Sequence, residues 1–134
     1  MDAPALPPEL VEFVALYGAG RYFDAHEALE LAWRRSAEPR MLFYQGLIQW
    51  AVAFEHRRRG NPRGARLQLA KAWAKLGPAP AGYLGLDLSA CREARPALMA
   101  ALARWEAGGP APSTPAPRIH PLGAERVRAV TPSG

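Results

Sequence analysis

The sequence predicts an all-α protein, a single compact bundle of about five helices followed by a Pro-rich tail. Three observations carry that expectation. Apolar residues recur at helical spacing through most of residues 8–107, and no alternating stretch competes as a strand. Gly and Pro fall between those runs, where connections belong. Of the fourteen prolines, three lie in residues 1–8 and six in residues 110–132, so few interrupt the body between them.

The first helix follows Pro7 and Pro8, carries Leu10, Val11, Phe13, Val14 and Tyr17, and ends at Gly18 and Gly20. The second covers residues 22–36 and stops ahead of Pro39. The third, residues 40–59, is apolar almost all round, as a central helix should be, and ends at Gly60. Asn61 and Pro62 supply an N-cap and a first-turn proline for the fourth, residues 62–76, which Gly77 and Pro78 close. A Gly- and Pro-rich loop then leads to Asp87 or Ser89 as the cap of a fifth helix reaching residue 107. Pro96 predicts a kink or a break inside it. Trp33, Trp50, Trp73 and Trp105 place one large anchor on each of helices two to five, and short connections imply antiparallel neighbours. The helical domain is therefore read as residues 1–107. Residues 108–134, low in apolar side chains, read as an extended or unstructured tail that truncation would leave unmissed.

Composition excludes more than it assigns. A chain of 134 residues argues for one domain. One cysteine, Cys91, excludes an internal disulfide and any multi-cysteine metal site; apolar Leu98, Leu102 and Trp105 at helical spacing make it a core residue rather than a nucleophile. No run approaches the roughly 18 apolar residues of a membrane span, so no membrane partner is expected. The N-terminus lacks the basic and apolar regions of a secretory signal, and a reducing, cytoplasmic setting is the default. There is no G-x-S-x-G elbow, P-loop or strand-borne G-x-G-x-x-G.

Two features stand out chemically. On a wheel of about 100° per residue, His26 and Glu30 fall within the arc of Tyr22, Phe23, Leu29 and Trp33, with Glu27 at its edge. A carboxylate in a buried stripe must be paired, hydrogen-bonded or metal-bound. On the third helix Gln45, Gln49 and His56 share one stripe, and Gly46 invites a close neighbour. The two stripes are expected to face each other as a buried polar cluster of His26, Glu27, Glu30, Gln45, Gln49 and His56, with protonated His26 or His56 meeting Glu30. A second use of the same residues is a two-His, one-carboxylate metal set of His26, Glu30 and His56, with Glu27 as base. No metal and no cofactor are assigned on this basis. The second feature is the acid-free stretch Arg57, Arg58, Arg59, Arg63 and Arg66, within a net charge of +5. It reads either as cations completing a helix C-terminus or as a weak, sequence-independent polyanion surface beside a helix N-terminus.

Several motifs resemble the bacterial and archaeal family called domain of unknown function 309. They are Gly20-Arg21-Tyr22-Phe23-Asp24-Ala25-His26-Glu27-Ala28-Leu29-Glu30-Leu31-Ala32-Trp33-Arg34, Gln45-Gly46-Leu47-Ile48-Gln49, Arg59-Gly60-Asn61 with Gly64-Ala65, and Gly85-Leu86-Asp87. They occur in the expected order across residues 10–105; Asp24 and Trp50 depart from the pattern without removing a residue of the polar stripes. The resemblance implies a compact all-helical fold and brings no activity, substrate or cofactor with it. The function expected from the residues is that of a binding or interaction domain. A metal-dependent hydrolase and a nucleic-acid-associated module are the alternatives.

Overall fold

The computed structural model of the protein describes residues 6–123. Five α-helices are found among them: α1 (Pro8–Gly18), α2 (Tyr22–Arg35), α3 (Arg40–Arg58), α4 (Pro62–Leu76) and α5 (Ser89–Glu106). They begin and end within a residue or two of the positions that Gly, Pro and the caps mark. Asn61 caps α4 by accepting a hydrogen bond from the Gly64 N–H at 2.9 Å, and Pro62 occupies the first turn. At α5 the cap is shared differently: Leu88 takes the N-cap position, while Asp87 accepts from the Ser89 N–H at 2.9 Å.

Pro96 neither splits nor ends α5, which runs unbroken from Ser89 to Glu106. The missing N–H leaves the carbonyl four residues back, at Arg92, without its helical donor. Both Pro96 and Arg92 are exposed, so water can take that place.

Helices pack in chain order, each on the next, with α3 between α2 and α4. Burial covers most of the circumference of α3, including Phe43, Tyr44, Leu47, Trp50, Ala51 and Phe54. Gly46 sets the approach of α4: a Cβ there would lie 2.9 Å from the Leu76 side chain. Cys91 is fully buried, and burial pushes its thiol pKa up to about 12, which suits a packing residue and not a nucleophile. No helix among the described residues is long and apolar enough to cross a membrane.

The chain beyond α5 departs from the sequence reading. Residues 108–123 are extended, as expected, but docked. This strap turns back from the end of α5 and pairs His120–Pro121 (β2) antiparallel with Leu86–Asp87 (β1). Ile119 is only 4% exposed and joins the core. The Leu122 N–H donates to the Gly85 carbonyl at 2.7 Å, and the Tyr17 hydroxyl donates to the Pro117 carbonyl at 2.7 Å. A single isoleucine, one buried tyrosine and a two-residue ladder leave no periodic signal, which is why composition alone reads this segment as a tail. Val127 and Val130, further along the sequence, lie outside the described residues.

Candidate functional site

The residues of the expected polar cluster do not converge. His26 and Glu30 lie one turn apart on α2, His26 Nε2 to Glu30 Oε2 being 3.7 Å, but their side chains are 24% and 34% exposed. Glu30 is met from its own helix by Arg34 at 2.7 Å, not by His56 or Gln49. Gln49 accepts from Lys75 Nζ of α4 at 2.8 Å; His56 Nδ1 lies 3.2 Å from Asn61 Nδ2 in the α3–α4 connection. Gln45 is half-buried and Glu27 exposed. His26 Nδ1 is buried without a hydrogen-bond partner.

The wheel misplaces the buried face of α2 for a definable reason. It gives weight to Phe23, which is large but 50% exposed, and ignores Ala25, which is fully buried beside Leu29. Small residues mark where helix axes come closest, so the true buried arc is rotated away from Glu30. Glu30 and His56 are accordingly held by separate partners, Arg34 and Asn61. Among the described residues no group of three His, Cys, Asp or Glu side chains is placed to hold a metal ion. Glu30→Ala is therefore expected to change unfolding stability by less than about 1 kcal/mol, as for an exposed ion pair. Urea denaturation measures it, and a loss above about 2 kcal/mol would restore the buried-pair account.

The arginine turn is equally divided. Arg58 and Arg59 both bind Glu55, Arg58 Nη2 and Arg59 Nε reaching its Oε2 at 2.7 and 2.6 Å. Arg66 pairs with Glu106 of α5. Arg63 is exposed on the first turn of α4. Glu55, only 8% exposed, is the buried acid that the sequence reading misses. Its place three and four residues before two arginines is the available signal. Hydrogen bonds from Arg58, and then Arg59, hold the Glu55 carboxyl below its usual range against the opposing effect of burial. A carboxylate with a lowered folded-state pKa contributes stability that is present above its unfolded value. That contribution is lost as pH falls through the folded value. Between about pH 6 and pH 3, wild type should therefore lose more stability than Glu55→Gln; parallel urea midpoints across that range would contradict this.

Arg57 differs from its neighbours. It makes no ion pair among the described residues, and its Nη1 is buried with no hydrogen-bond partner. Its guanidinium lies over the Phe54 ring, 4.8 Å from the centroid. The ring contributes about 0.5–1 kcal/mol and the C-terminus of α3 about 0.3–1 kcal/mol, while Nη1 has no hydrogen-bond acceptor among the described residues.

Arg57 lines a groove of about 690 Å³ formed by the end of α1, the Gly18-Ala19-Gly20 turn, the end of α3 and the strap. Its position follows from the packing. Trp50 Nε1 donates to the Tyr17 hydroxyl at 3.0 Å, and that hydroxyl donates on to Pro117, so the core itself anchors the strap across the groove. Burial drives the Tyr17 phenol well above its usual pKa, so it stays a neutral donor. Ser113, Thr114 and Tyr22 add hydroxyls; Arg118 and His120 add basic side chains. No Asp or Glu is among the described residues that line it, though Asp87 Oδ2 lies 3.9 Å from His120 Nε2. A second groove of about 600 Å³ flanks the strap on the α5 side, but Ala90, Ala94, Ala97 and Ala101 give it an apolar wall with Glu93 and Arg104 of opposite sign. In the sequence Tyr17 and Tyr22 read only as apolar helix residues and the strap as tail, so this groove is not visible there.

Fold and groove define a small all-helical protein with an open groove bordered by an extended strap. The chain belongs to the family described as domain of unknown function (DUF309), whose sequence profile matches residues 10–68. That segment holds Tyr17, Tyr22 and Arg57 and ends before the strap. The crystal structure of a conserved hypothetical protein, TTHA0068, from Thermus thermophilus is similar over 70% of this chain and 98% of that one, at 38% identity and a TM-score of 0.60. The uncharacterized protein YpuF of Bacillus subtilis (strain 168) is 35% identical over 68 residues, 49% of this chain. The chain spans 39% of the length of that relative.

Proposed function

We propose that this protein is a binding domain whose ligand site is the groove beneath the strap. The observation that supports it most is Arg57, a part-buried cation without a carboxylate partner among the described residues, where Arg58, Arg59 and Arg66 are paired. A partly desolvated charge without an acceptor is costly unless something supplies one. The volume is that of a small-molecule site, with hydroxyls on the strap side and aromatic and aliphatic walls below. Two rims of the groove belong to different parts of the chain, the α1–α2 turn and the strap, so a ligand would tie them together and stabilise the folded state.

The test is a thermal-shift screen of a chemically mixed small-molecule library against wild type and Gly18→Trp. Gly18 lies at the groove wall, its φ is not positive, and a Cβ there would meet nothing within 4 Å, so the added indole fills the groove without backbone strain. Ligands that raise the melting temperature of wild type and not of Gly18→Trp support the reading. A screen with no ligand, or with ligands indifferent to Gly18→Trp, removes it.

A further inference from the structure

Resting on that reading, we infer that the groove takes a small molecule bearing a carboxylate or phosphate on an apolar body, with the acid group bound by Arg57. The sign is set by Arg57, which makes no ion pair among the described residues. No Asp or Glu is among the described residues that line the groove, and the Asp87 carboxylate stands 3.9 Å from His120 Nε2. Glu55, the nearest acid in sequence, is turned to Arg58 and Arg59 on another face of α3.

The geometry of Arg57 narrows the ligand further. The Arg57 guanidinium lies over the Phe54 ring and its Nη1 has no hydrogen-bond partner among the described residues, so a planar or tetrahedral oxyanion is the acceptor it lacks. Beside it, Val14, Tyr22, Pro115 and Ile119 offer an apolar surface suited to a ring or short chain.

Isothermal titration calorimetry on the full chain tests this with four probes: phenyl phosphate, benzoate, benzylamine and benzyl alcohol. Phenyl phosphate and benzoate should bind and the other two should not. Arg57→Gln should weaken the anions by about tenfold or more, Arg57→Lys should recover part of that, and added salt should weaken binding in wild type. Melting temperatures close to wild type show that the variants remain folded. If Arg57→Gln unfolds, the probe comparison in wild type and Gly18→Trp decides alone. Benzylamine or benzyl alcohol binding as tightly as the anions overturns the inference, as does anion affinity within twofold of wild type in folded Arg57→Gln. Failure of all four probes overturns it too. In each case library ligands blocked by Gly18→Trp would leave the binding-domain reading standing, so the two failures are distinguishable.

Discussion

A chain ended after Ala107 is expected to lose about 3–5 kcal/mol of stability and to melt more than about 10 °C lower. Truncation removes Ile119 from the core, worth about 1.5–3 kcal/mol of burial. It also leaves the buried Tyr17 hydroxyl without its Pro117 acceptor, at a cost of about 1–3 kcal/mol. In the full chain, Ile119→Ala alone should cost about 2–4 kcal/mol. Chemical denaturation of both variants checks this; a truncated chain within about 0.5 kcal/mol of wild type would mean that the strap adds nothing to the fold. Composition alone predicts no loss, and the docked strap predicts a large one.

Trp50→Ala is expected to cost at least as much, about 3–5 kcal/mol, because the indole is fully buried and packs on Phe54 and Trp73. Trp50→Phe separates packing from hydrogen bonding. It retains most of the volume but removes the donor to Tyr17, so the expected loss is smaller, about 1–2 kcal/mol. The effect should also reach the strap: amides near Pro117 and Ile119 should exchange faster in Trp50→Phe than in wild type. Unchanged exchange there would break the proposed link from core to groove.

The helices are legible because each depends on signals that are local and periodic. Asn61 and Pro62 start α4 in the sequence as they do in space, and Gly46 announces the close crossing of α3 and α4. What periodicity does not settle is rotation about the helix axis. Phe23 pulls the inferred buried face of α2 toward Glu30, whereas the contact-setting residue is the small Ala25. The groove is hidden for another reason. Its floor comes from residues 14–22 and 57 and its roof from residues 113–120, joined by a hydroxyl-to-carbonyl bond spanning 100 residues. No spacing rule connects such positions. Arg57 stands in the sequence as one member of a cationic run, and only the pairing of Arg58, Arg59 and Arg66 distinguishes it.

The family profile ends at residue 68, so the α1–α3 wall of the groove lies within the matched segment and the strap lies outside it. In the proposed reading, this chain adds a roof to a wall carried by the helical core. The strap would then tune ligand exclusion from solvent, and Arg57 the sign of the ligand.

The most direct measurement is a crystal structure of the full chain with phenyl phosphate. The proposed site predicts the phosphate within hydrogen-bond distance of the Arg57 guanidinium, with the phenyl ring between Tyr22 and the Pro115–Pro117 segment of the strap. A phosphate bound away from Arg57, or a ring seated instead in the alanine-lined groove along α5, would contradict it.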